Sequence, residues 1–150
     1  ILNRGGCNLS FAGLKTAILR IKSEIKNEQD KFDLAASFQK TVEEILVKKT
    51  EKAFEIYLNE INTLNRNFVV AGGVAANKGI KNKLVKLSEE NKFKCMFPDI
   101  SLCSDNAAMI ALVGLENFKK KSFNELNFKV NPRWQLDENA RFLKGAGVKI

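Results

Sequence analysis

Two successive strand, turn and helix units constrain this chain more than any other feature. Phe68-Val69-Val70-Ala71 is a compact β-branched and aromatic run, and Gly72-Gly73 follows it directly. Beyond the glycines, Ile80, Leu84 and Leu87 recur at helical spacing, with Lys78, Lys81 and Lys86 on other faces. In the second unit, residues 93–97 predict a strand that Pro98 ends, and Ser104-Asp105-Asn106 opens an alanine-rich helix. Ala108, Ala111, Leu112, Leu115 and Phe118 give that helix an expected buried face, and Gly114 permits close approach to a neighbour. Strands alternating with helices define an α/β class, and one domain over residues 1–150 is the simplest organisation.

The flanking segments fit that class. Leu9-Ser10-Phe11, bounded by Gly5-Gly6 and Gly13, predicts a short strand. Leu14, Ala17, Ile18, Ile21 and Ile25 then form one apolar helix face, while Lys15, Lys22 and Lys26 share another. Asp33 to Leu64 is helical, with Leu34, Phe38, Ile45 and Ile56 on one stripe and Ala35, Val42, Leu46 and Ala53 beside it. Lys48-Lys49-Thr50-Glu51-Lys52 interrupts the stripe, so two helices or one bent helix are both compatible with it. Leu126, Phe128 and Val130 alternate with polar residues as an edge strand would, and an extended tail is expected from Pro132 onward.

At 150 residues the chain buries about two thirds of its unfolded surface, enough for a core without disulfide staples. It is 45% hydrophobic and 28% charged, the balance of a globular protein. No apolar run approaches the ~20 residues that cross a bilayer, and no signal peptide opens the chain, so the expected location is the cytoplasm. Cys7, Cys95 and Cys103 form no CxxC pair and are expected to be reduced. The chain has no histidine, which removes Ser-His-Asp, Cys-His and HExxH chemistry. Twenty-five basic against seventeen acidic residues give +8, a field that attracts phosphate-rich partners, although a general lysine bias produces the same excess. The chain begins at Ile1, as a processed product or a piece of something longer would.

Two places have the residue types for chemistry. Gly72 and Gly73 let the backbone turn tightly and let a ligand approach without meeting a Cβ, and the following helix start offers N–H groups to an anion. Asn77 adds an amide suited to ribose hydroxyls or an adenine edge. The pattern is neither GxGxxG nor a Walker loop, and from the residues alone a purely structural turn is the favoured reading. At the second place, Ser104 reads as an N-cap with Asp105 complementing the helix dipole, or Asp105 supplies one oxygen ligand to a metal.

Residues 9–16 (LSFAGLKT), Ala71 to Asn77, residues 103–111 (CSDNAAMIA) and Pro132 to Asp137, in that order, resemble the universal tRNA threonylcarbamoyladenosine transferases, once described as O-sialoglycoprotein endopeptidases or glycoproteases. The resemblance implies an actin-like, Hsp70-like fold of two ribonuclease-H-type lobes, of which this chain would be the C-terminal one, the N-terminal lobe being absent. It implies that Gly72, Gly73 and Asn77 bind the adenylate of threonylcarbamoyl-AMP. By the same resemblance, Asp105 is one ligand of a divalent metal, iron or zinc, with the other ligands in the absent lobe. Implied partners are tRNA, a related inactive paralogue and a small ATPase. The expected function is transfer of threonylcarbamoyl to the adenosine beside the anticodon, with the isolated chain inactive. Two alternatives remain open: a basic non-catalytic module that binds RNA or protein through Lys15, Lys22, Lys26, Lys78 or Lys81, and a metal-dependent glycoprotein endopeptidase.

Overall fold

The computed structural model describes residues 6–61 and 63–130. The Pro132 to Asp137 motif and the expected tail lie outside the described residues. The chain divides into two compact units, Ile1–Ser104 and Asp105–Ile150.

In the first unit the order is α1 (Ala12–Ile21), α2 (Glu28–Glu60), β1 (Asn67–Val69), a 3-10 turn (Gly73–Ala76), α3 (Lys78–Glu90) and β2 (Lys94–Met96). β1 and β2 pair in parallel with Asn67 opposite Lys94 and Val69 opposite Met96, so β1, α3 and β2 form a βαβ unit. The α/β expectation holds. Leu9-Ser10-Phe11 is not a strand: residues 8–11 are irregular and Phe11 caps α1. Three residues with no neighbouring strand among the described residues have no ladder to join, and Gly13, expected to bound the strand, lies inside α1.

The question left open at Lys48-Lys49 has one answer: α2 is a single helix of 33 residues. Its start is secured by a capping box, in which Asn27 Oδ1 accepts from Asp30 N at 2.9 Å and Asp30 Oδ2 accepts from Asn27 N at 3.2 Å. Lys49 does not break the helix because its stem is buried while its Nζ donates to Gly6 O at 2.9 Å.

The core forms where α2, α3 and the two strands meet. Phe54 stacks on Phe93 with ring centroids 3.9 Å apart and meets Phe68 edge-on at 5.1 Å, while Leu87 closes the cluster. Ile80, Leu84 and Leu87 are all buried, as their spacing predicts. α3 ends without glycine. Lys92 takes the left-handed conformation (φ 60°), its N–H donates to Glu89 O, and Phe93 N donates to Ser88 O at 2.8 Å. Those two bonds are a Schellman stop, and they deliver Phe93 onto Phe54.

In the second unit, α4 spans Ala107–Lys119 and ends in the same way, with Lys121 at φ 54°. The buried face expected for it is not found: α4 has no buried residue, and Leu112, Leu115 and Phe118 are exposed. Phe118 meets Phe123 edge-on at 6.1 Å. The edge strand expected at residues 126–130 is also absent, because these residues are irregular and have no strand beside them.

Candidate functional site

The glycine turn sits where β1 hands over to α3. Gly72 has φ 91° and ψ 173°, backbone that only glycine adopts readily, so its identity is required by conformation. Gly73 has no such requirement. A Cβ built at Gly73 meets nothing within 4 Å, and so does one at Gly72, so the space beside both glycines is open. Ala75 N bonds back to Gly72 O at 2.9 Å and Asn77 N to Val74 O at 3.0 Å, closing the turn. Among the described residues the N–H groups of Gly73 and Val74 have no backbone acceptor, which leaves two adjacent donors at an exposed helical start.

Asn77 is the N-cap of α3. Its Oδ1 accepts from Ile80 N at 3.1 Å. The same oxygen accepts from Gln39 Nε2 at 3.0 Å, and Asn77 Nδ2 donates to Gln39 Oε1 at 3.1 Å. Gln39 Nε2 donates in turn to Glu43 Oε1 at 2.6 Å, and Lys83 Nζ pairs with Glu43 Oε2 at 2.7 Å. The bonds from Lys83 and then Gln39 hold the Glu43 carboxyl below its ordinary value, against the desolvation that would raise it. A Cβ at Gly79 would meet the end of the Glu43 side chain and push it aside, so glycine leaves room for the carboxylate where Gln39 and Lys83 hold it. Sequence reasoning found the glycines and Asn77 but missed Gln39, Glu43, Lys83 and Gly79. The i,i+4 spacing of Gln39 and Glu43 was a signal for the first two.

Asp105 belongs to the other unit. Ser104 is not the N-cap of α4: Asn106 is, with its Oδ1 accepting from Met109 N at 3.1 Å. Asp105 therefore lies outside the helix, and its exposed carboxylate is not the cap. Asp105 offers one hard oxygen donor, and among the described residues no three His, Cys, Asp or Glu side chains gather as a metal site. The residues described here do not by themselves make a metal centre.

The three cysteines are free, with Cys103 buried and Cys7 and Cys95 half-buried. Lys15, Lys22, Lys26, Lys78 and Lys81 are exposed, and Lys81 Nζ lies 5.2 Å from the centroid of the Phe97 ring. An open groove of about 330 Å³ between the end of α1 and the first turns of α2 contains none of the expected site residues. No helix among the described residues is long and apolar enough to cross a membrane.

Residues 2–112 match the family model of tRNA N6-adenosine threonylcarbamoyltransferase. A protein of that name from Pelagibacter ubique (strain HTCC1062) is 62% identical over 151 residues, covering the whole of this chain and 42% of that protein. Those from Ruegeria sp. (strain TM1040) and Rickettsia bellii (strain OSU 85-389) are 42% and 44% identical, covering 99% and 92% of this chain. The glycine turn, with open space beside it, lies on a βαβ unit and is followed by an amide-capped helix. The chain belongs to the tRNA N6-adenosine threonylcarbamoyltransferase family, and it spans about 42% of the length of the relatives named first.

Proposed function

We propose that this chain is the adenylate-holding part of a tRNA N6-adenosine threonylcarbamoyltransferase, one lobe of an actin-like, Hsp70-like fold built from ribonuclease-H-type units. The observation that carries this reading is the open turn at Gly72 and Gly73 within a segment that matches the family from residue 2 to residue 112. Gly73 is the telling residue, since neither its conformation nor packing within the described residues demands glycine there. A ligand approaching the backbone supplies the missing reason.

In this reading the substrate is threonylcarbamoyl-AMP and the acceptor is tRNA. The exocyclic amine of an adenosine attacks the carbamoyl carbon, the bond from that carbon to the phosphate oxygen breaks, and AMP leaves with the electron pair while the amine releases a proton. The contribution of this chain is to hold and orient. The N–H groups at Gly73 and Val74 face acceptor oxygens, and Asn77 adds a directed amide. Asp105 supplies one ligand to a divalent metal, iron or zinc, whose remaining ligands lie outside this chain; when bound, such a metal polarises or positions the carbamoyl group. Exposed Lys15, Lys22, Lys26, Lys78 and Lys81 meet tRNA phosphate, and the net charge of +8 supports that role. The reaction takes place in the cytoplasm, with a related inactive paralogue and a small ATPase as protein partners, and the chain by itself does not turn over.

The test uses a protein of the relatives' full length that contains this segment. Gly73→Ala and Asn77→Ala should weaken AMP binding about tenfold or more, and Asp105→Ala should lower bound metal as measured by elemental analysis. Wild-type AMP affinity in both turn variants, or tRNA modification by the 150-residue chain alone, would refute the proposal.

A further inference from the structure

The hydrogen bonds around Asn77 determine what kind of ligand atom it can meet. Ile80 N is a donor only, so the Asn77 side chain must turn its oxygen toward α3. That oxygen also accepts from Gln39 Nε2, which fills both of its lone pairs. Of the two Nδ2 hydrogens, one goes to Gln39 Oε1, and a single N–H is left. The orientation of Gln39 is forced as well. Glu43 Oε1 is an acceptor held in place by Lys83 on the other carboxylate oxygen, so the side of Gln39 that faces it must be the NH₂. Lys83 and Gln39 thus both donate to the Glu43 carboxylate, and the Gln39 and Asn77 amides form a reciprocal pair, each donating one N–H to the other's oxygen.

We infer that Gln39 is a positioning residue for nucleotide binding: anchored by Glu43 and Lys83, it fixes the Asn77 amide so that Asn77 presents one N–H, and no acceptor, to the adenylate. The atom it meets is then a hydrogen-bond acceptor of the nucleotide, a ribose or phosphate oxygen or a purine ring nitrogen. The inference rests on the reading of Asn77 as an adenylate contact. Gln39 has no N–H left to give a ligand, because both hydrogens of Nε2 are committed within the protein.

The experiment measures AMP binding by calorimetry in the full-length protein, with selectively ¹⁵N-labelled asparagine. Asn77→Asp keeps the acceptor for Ile80 N and Gln39 Nε2 but has no N–H to give. AMP should bind roughly 10–100-fold more weakly. Gln39→Leu leaves the Asn77 oxygen on Ile80 N but removes the paired bonds that fix the plane of the amide, and should weaken AMP about tenfold. In the wild-type protein, AMP should shift one of the two Asn77 Nδ2 proton resonances and leave its partner in place. This signature also decides the matter if Gln39→Leu fails to fold. If Asn77→Asp is weakened while Gln39→Leu binds like wild type, or if both Nδ2 protons respond equally, the positioning role is wrong and the Asn77 contact survives. Unchanged affinity in Asn77→Asp overturns the contact and the inference with it.

Discussion

Phe54 and Phe32 lie on the same helix and differ almost entirely in what surrounds them, so the pair tests the core directly. Phe54 is 3% exposed, stacked on Phe93 and edge-on to Phe68, whereas Phe32 is 63% exposed. Truncating a buried phenylalanine to alanine costs about 3–5 kcal/mol through lost transfer energy and the cavity left behind. Phe54 belongs at the upper end, because its ring has an aromatic neighbour on a face and another at an edge, each worth ~0.5–1.5 kcal/mol beyond burial. A domain is stable by only about 5–15 kcal/mol, so Phe54→Ala removes a large fraction of the total. At ~2–4 °C per kcal/mol for a chain of this size, the midpoint should fall by roughly 8–20 °C. Phe32→Ala should move it by less than about 2 °C, since surface changes stay within ~0.5 kcal/mol. Urea titrations of the 150-residue chain followed by circular dichroism, with thermal melts alongside, provide both numbers. Equal midpoints for the two variants would mean that the aromatic cluster is not the core.

The backbone offers a pair of opposite sign: Gly72→Ala should destabilise by about 1–3 kcal/mol because its φ of 91° strains any side chain, while Lys92→Gly should stabilise by up to about 1 kcal/mol by relieving the left-handed lysine; both are read from urea midpoints. Glu43 makes stability depend on pH. Its folded value lies below the ordinary 4.5, so its contribution is fully present above that value and is lost as pH falls through the lowered one. Wild type should therefore lose stability more steeply than Glu43→Gln between about pH 5 and pH 3 in urea titrations, and parallel curves would contradict the Lys83–Glu43–Gln39 arrangement.

How much of this was legible in the sequence depended on whether neighbours lay close along the chain. β1, the glycine turn and α3 form a contiguous unit, and Ile80, Leu84 and Leu87 are buried as their spacing requires. The glycines and Asn77 could be singled out because turn and cap chemistry is local. Leu9-Ser10-Phe11 and residues 126–130 have strand composition, but a strand needs a partner, which the local pattern does not contain. Gln39 reaches Asn77 across 38 positions, and no periodicity announces such a pairing. Ser104 and Asn106 are both good caps by type, and only the geometry of α4 chooses Asn106.

The long helix shows why the polar half of the site stayed hidden. At about 100° per residue, the expected stripe of Leu34, Phe38, Ile45 and Ile56 lies within some 40° of arc. Gln39, Glu43, Val47, Phe54 and Tyr57 lie on a different face, centred roughly 160° away. That second face holds the aromatic core and the bonds to Asn77, while Ile45 is buried on the first and Phe38 is 40% exposed. A helix buried on two sides has no single stripe, and a face with an amide and a carboxylate at two of its positions does not read as apolar. The same arrangement couples core to site. Gln39 and Glu43 meet the start of α3 while Phe54 meets Leu87 near its end, so the two helices run side by side in the same sense. The aromatic cluster and the Gln39–Asn77 bonds therefore hold the same two helices together at two levels. A core change that slides α2 along α3 should therefore also lengthen the Gln39–Asn77 bonds, which are only 3.0 and 3.1 Å long.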